Sequence, residues 1–144
     1  MNWEEFAEGL AEEFGRLPTG ALLVLSEPGE AGRYAQFAQE ESELVAYVVV
    51  NSFLAGPARA TPRGEEAIVR AGWNPPDASG RHENWWRTLP WPASSAQYRA
   101  LAGSVAAALR DGYAIASPDG WSYQAWNERT GDDIELRSLA LRPA

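Results

Sequence analysis

The chain has 144 residues, a length that suits one domain with a core large enough to need no staples, and residues 1–144 are expected to fold as a single unit. Cysteine is absent, which excludes disulfides, thiolate metal sites and thiol nucleophiles. Twenty acids oppose twelve bases, for a net charge of -8, and every base is arginine. Such a field repels phosphate backbones, and no basic stripe offsets it, so nucleic acid is not an expected partner.

The lysine-free, arginine- and alanine-rich composition is the codon footprint of a high-GC genome. No apolar run reaches the length of a membrane span. The stretch from Met1 to Glu13 is acidic and lacks the apolar centre of a signal peptide, so a cytoplasmic location is expected.

In chain order, the first element is an amphipathic helix. Trp3, Phe6, Leu10, Phe14 and Leu17 recur at three- and four-residue steps and form one stripe, while Glu4, Glu5, Glu8, Glu12 and Glu13 read as its solvated face. Asn2 with Glu5 has the spacing of a capping box, and Pro18 with Gly20 ends the helix. Ala21 to Leu25 reads as a first strand, closed by a Ser-Glu-Pro-Gly turn. Arg33 to Gln39 alternates, with Ala35 and Phe37 on one side, as a second strand. Leu44 to Val50 is β-branched and apolar on both faces, and is expected to be the central strand of an antiparallel meander.

Residues 55–61 form a small-residue linker. Thr61 and Pro62 then open a short helix that turns Ala67, Ile68 and Ala71 inward and stops at Gly72. Trp73 to Gly80 is loop-forming, and Trp73 is placed to cover the helix end. Asn84 to Leu89 reads as a fourth strand, with Trp85 and Trp86 on opposite faces, and Pro90 and Pro92 stop further pairing. Ser94 with Gln97 caps a longer helix whose stripe is Tyr98, Leu101, Ala102, Val105 and Leu109. Trp121 to Asn127 and Ile134 to Leu141 are expected as two further strands around the Arg129-to-Asp132 turn. The fold class is α+β.

Catalytic machinery is not recognisable. His82 is the single histidine and falls in a polar loop, where a solvated surface position is expected. No serine stands in a nucleophile elbow, and without lysine there is no P-loop, Schiff base or Ser-Lys dyad. Asp132, Asp133 and Glu135 lack calcium-loop spacing and read as exposed turn acids. No catalytic, cofactor-binding or metal-binding residue is assigned, and no cofactor is expected.

The seven tryptophans are the chief oddity of the composition. Trp85, Trp86 and Trp91 fall in one proline-punctuated stretch. Only one of the first two can enter a core on one side of a sheet, and tryptophan is a frequent interface anchor. At least one of the three is therefore expected at the surface. Trp121 and Trp126 likewise fall on opposite faces of their strand.

The order helix, three-strand meander, short helix, strand, long helix, then C-terminal strands resembles the type III secretion chaperone-like fold. The cues Tyr34-Ala35-Gln36-Phe37, Val45 to Leu54, Ala71-Gly72-Trp73-Asn74-Pro75-Pro76, Asn84-Trp85-Trp86 and Val105 to Tyr113 are similar to those of actinobacterial TY-Chap domains over roughly residues 1–127. The resemblance implies a non-enzymatic, chaperone-like module that binds a protein partner, possible as a homodimer. Phe37, Trp85 and Trp86 are then candidate contacts, with Arg33 or Arg87 fixing a polar end, and Trp91 joins them as a candidate from the interface reading of the tryptophans. Two other readings stand beside it. One is an acidic, immunity- or antitoxin-like inhibitor of a basic protein, and the other is a small-ligand module with an enclosed aromatic pocket.

Overall fold

The computed structural model describes residues 1–144. Helix α1 (Trp3–Arg16) starts at Asn2, whose side chain accepts from Glu5 N–H while the Glu5 carboxylate accepts from Asn2 N–H. Both free donors are thereby satisfied. Three strands follow, β1 (Ala21–Ser26), β2 (Tyr34–Gln39) and β3 (Glu43–Val48), then two single 3-10 turns at Asn51–Phe53 and Gly56–Ala58. Helix α2 (Pro62–Arg70) is capped by Thr61, β4 (Trp85–Pro90) returns to the sheet, and α3 (Ser95–Ala107) runs on into one π turn at Ala108–Gly112. Strand β5 (Ser122–Asn127) and the two-residue β6 (Arg142–Pro143) complete the sheet.

The strand order is β4-β3-β2-β1-β5-β6, antiparallel except for the β5–β6 pair. The fold class and element order expected from the sequence are those observed. One placement differs. Strand β3 is paired on both sides but lies next to the edge strand β4, and the middle of the sheet is β1 and β2. Its two-sided burial comes from Leu44, Ala46 and Val48 under the helices and Val45 on the opposite face.

The helices share one face of the sheet. Phe14 of α1 packs on Phe37 of β2 with ring centroids 4.9 Å apart, and Tyr98 of α3 lies 6.3 Å from Phe14. Trp73, just past α2, donates its indole N–H to the Ser104 carbonyl of α3 at 2.9 Å. Gly64 of α2 and Gly112 meet backbone to backbone, so closely that a Cβ on Gly64 would strike the Gly112 carbonyl. The core between this layer and the sheet is one continuous cluster containing Phe6, Leu10, Leu23, Leu25, Ile68, Leu101, Val105 and Leu109.

Two further expectations are corrected. Residues 134–141 do not form a strand. After the Asp133 bridge to Trp126 the chain leaves the sheet, and only Arg142–Pro143 rejoins it, parallel to β5. The cause is Glu13, expected on the solvated face of α1 but 3% exposed. Its carboxylate accepts from the N–H groups of Arg137 (2.9 Å) and Ser138 (3.3 Å), and pairs with Arg16 at 2.9 Å. The C-terminal segment is thus held against α1 by an acid on the helix rather than by a sheet ladder. Leu139 is buried there, beside Gly9.

Candidate functional site

Because every helix lies on one face, the opposite face of the sheet is left without a helical layer. Side chains alternate along each strand, so the register determines which residues share that face. Trp126, Leu22, Ala38, Val45 and Thr88 form one row across β5, β1, β2, β3 and β4. Gln124, Val24, Gln36, Tyr47 and Trp86 form the next. Leu22, Val24, Ala38, Tyr47, Trp86 and Trp126 are all partly exposed, whereas their neighbours Leu23, Leu25, Phe37, Ala46, Trp85 and Ala125 are buried on the helix side. A contiguous, partly exposed aromatic and aliphatic surface of this kind marks an interaction site more often than a scatter of single apolar residues does.

One end of the face is roofed by the loop of residues 74–84. Asn74 exchanges two backbone hydrogen bonds with Trp86, each 3.0 Å, and the Trp86 indole N–H donates to the Pro75 carbonyl at 3.0 Å. His82 stacks on the Trp86 ring at 4.2 Å, and its Nδ1 lies 3.2 Å from the Tyr47 hydroxyl. His82 is 8% exposed, which corrects its expected position as a solvated loop residue. The Asp77 carboxylate organises the loop by accepting from Ser79 Oγ and from the N–H groups of Arg81 and His82, and these bonds, that from Ser79 first, hold its pKa below the usual carboxylate range. Burial, and then the Glu40 carboxylate, push the Tyr47 hydroxyl above the ordinary tyrosine value, with Glu43 and Asp77 acting in the same direction and Arg81 against them.

The sequence-expected contact residues divide. Trp86 lies on the uncovered face, and Trp91 is exposed just beyond the end of β4 at 39%. The expectation of a surface tryptophan in this stretch is therefore met. Phe37 and Trp85 are both in the helix-side core, so neither presents a surface. Arg33 is also engaged within the chain. Its guanidinium makes two bonds to Glu27, at 2.7 and 2.6 Å, and donates to the carbonyls of Ala58 and Tyr113. Arg87 is half-buried on the helix side, donates to the Ala71 carbonyl that ends α2, and has no carboxylate partner. Burial alone lowers its pKa.

Sequence reasoning passed over Leu22, Val24 and Tyr47 as surface groups, and placed Trp126 on the face opposite Trp121 without naming it as a contact. Ala21 to Leu25 is apolar at every position, so polarity gives no clue to which side faces the helices. Only the cross-strand register brings these residues beside Trp86.

Two open clefts adjoin the uncovered face. One, of about 640 Å³, runs along the outer edge of β5 between Trp126, Asp133, Glu135 and Pro143. Another, of about 440 Å³, lies on the uncovered face among Glu40, Glu43, Val45, Tyr47, Arg81 and His82. No group of three or more potential ligand side chains stands close enough to hold a metal ion. No helix is long and apolar enough to cross a membrane.

No curated protein and no solved structure matches the chain. The family described as "T3SS (YopN, CesT) and YbjN peptide-binding chaperone 3", TY-Chap3, matches residues 1–127, which takes in the three helices and strands β1 to β5. The chain belongs to the TY-Chap3 family of peptide-binding chaperones.

Proposed function

We propose that this protein is a non-enzymatic, cytoplasmic, chaperone-like module that receives a segment of a partner protein on the uncovered sheet face. The observation that carries the reading is the asymmetry of the sheet. One face is sealed by three helices, while the other leaves Leu22, Val24, Tyr47, Trp86 and Trp126 partly exposed in two adjacent rows. Large aromatic side chains supply contact area at low entropic cost, which suits a surface that must hold segments of varied sequence. Trp91, exposed just beyond the end of β4, stands outside these two rows. Membership of a peptide-binding family supports the same conclusion.

Selection of a displayed random peptide library against the whole chain tests the reading. Peptides so selected are expected to lose at least about tenfold in affinity on Trp126→Ser or Leu22→Asp, since central anchors carry most of the energy of an interface. Arg99→Ala, on the exposed side of α3, should leave affinity unchanged. Peptides indifferent to both face substitutions, or a library that yields no binder, would count against it.

A further inference from the structure

The charges around the uncovered face specify the chemistry of what lies on it. Glu40 and Glu43 line the cleft at the β2–β3 end beside Tyr47. Asp77 anchors the loop that roofs Trp86. At the other side of the sheet, Asp133 and Glu135 flank Trp126 in the β5 cleft, whose lining includes no basic residue. None of these five carboxylates takes part in an ion pair. Against them stand Arg129, already bound to Glu41 at 3.1 Å, and Arg81. The acids are also felt at the face itself, since Glu40, Glu43 and Asp77 all act on the Tyr47 hydroxyl. Elsewhere the chain does pair acids that lie close to arginines, as at Glu13 with Arg16 and Glu27 with Arg33.

An apolar, aromatic floor bounded by unpaired carboxylates is complementary to one kind of segment. Resting on the peptide-binding reading, we propose that the uncovered face is selective for basic, amphipathic segments, in which apolar residues alternate with arginine or lysine. The apolar residues lie over Leu22, Val24 and Ala38, which are partly exposed. The cations reach outward to Glu40 and Glu43 at one margin and to Asp133 and Glu135 at the other, with their stems across the rings of Tyr47 and Trp126. The Trp126 indole N–H donates to no group of the chain and is free to bond a segment's backbone. The same margin rejects acidic segments, which would bring like charges together beside a surface of low dielectric. Selection against a segment's charge is thus built into the rim, while the floor remains tolerant of sequence.

Three peptides of equal length test this against the whole chain. Each alternates leucine and valine with one polar residue, which is arginine in the first, glutamine in the second and glutamate in the third. Binding is followed by tryptophan fluorescence at low and high salt. The arginine peptide is expected to bind about tenfold tighter than the glutamine peptide at low salt, and the glutamate peptide weaker than both. The advantage should shrink toward parity at high salt, because rim charges are screened. Combining Glu40→Gln, Glu43→Gln, Asp133→Asn and Glu135→Gln should remove most of the preference for the arginine peptide over the glutamine peptide. The control pair Glu8→Gln and Glu12→Gln, on the exposed side of α1, should not. Equal affinity for the arginine and glutamate peptides, or a preference that survives the fourfold substitution, overturns the proposal while leaving the peptide-binding reading in place. Failure of all three peptides to bind overturns both.

Discussion

The imidazole of His82 lies 4.2 Å from the ring of Trp86, inclined by 23°, and its Nδ1 is 3.2 Å from the Tyr47 hydroxyl. A loop residue is thereby made part of the sheet face, joining the roof formed by residues 74–84 to strands β3 and β4. The single histidine of the chain has a structural place although it matches no catalytic pattern.

His82→Ala should cost about 1–2 kcal/mol, from one aromatic contact and one hydrogen bond at a nearly buried site. A fall in melting temperature measures the loss, and faster amide exchange confined to residues 74–84 locates it. If exchange rises uniformly over the chain, the histidine is not a local anchor of that loop.

Glu13 predicts a different kind of loss. Glu13→Ala removes a buried acceptor that satisfies Arg137 N–H and Ser138 N–H and a charge that pairs with Arg16. The expected cost is about 2–3 kcal/mol, with early proteolytic cleavage within residues 134–144. Glu12→Ala, one position away and exposed, serves as the control and should change stability by less than about 0.5 kcal/mol.

Tyr113 makes alkaline stability testable. Its hydroxyl donates to the Val49 carbonyl in the interior, and burial pushes its pKa well above the ordinary value of 10.0. The folded state therefore favours the neutral phenol. That contribution is fully present below about pH 10 and is lost as the pH rises from there toward the folded-state pKa. Tyr113→Phe should cost about 1 kcal/mol at neutral pH and flatten the decline above about pH 10, as read from urea melts across that range.

At Gly64 two effects oppose each other. Alanine is favoured over glycine by about 1 kcal/mol in a helix interior. Here the added methyl would meet the Gly112 carbonyl, which is backbone and cannot rotate away. The clash should win, for a net loss of about 1–3 kcal/mol. Gly103, on the exposed side of α3 with nothing within 4 Å of its missing Cβ, should give the opposite sign, a gain of up to about 1 kcal/mol with alanine.

Much of the fold was legible because it is written in local periodicity. The stripes of α1 and α3, both capping boxes, and the separation of Trp85 from Trp86 follow from spacings of two, three and four residues. The parts that were not legible depend on contacts distant in sequence. Glu13 has the spacing of a surface residue, and only the path of residues 134–141 makes it a buried anchor. His82 stands in a polar loop, yet the loop folds onto Trp86. Phe37 and Trp85 have the same large apolar character as Trp126, and only strand register places the first two under the helices and the third on the open face. Mixed apolar runs such as Ala21 to Leu25 do not declare which side is covered.

Where the partner segment lies can be read directly by NMR from the indole N–H signals of the seven tryptophans. A library-selected peptide added to the labelled protein should shift the Trp126 and Trp86 indole signals. Those of Trp3, Trp73 and Trp121, buried on the helix side, should stay in place. Shifts confined to Trp3, Trp73 or Trp121, with Trp126 and Trp86 unmoved, would put the segment on the helical layer and contradict the account.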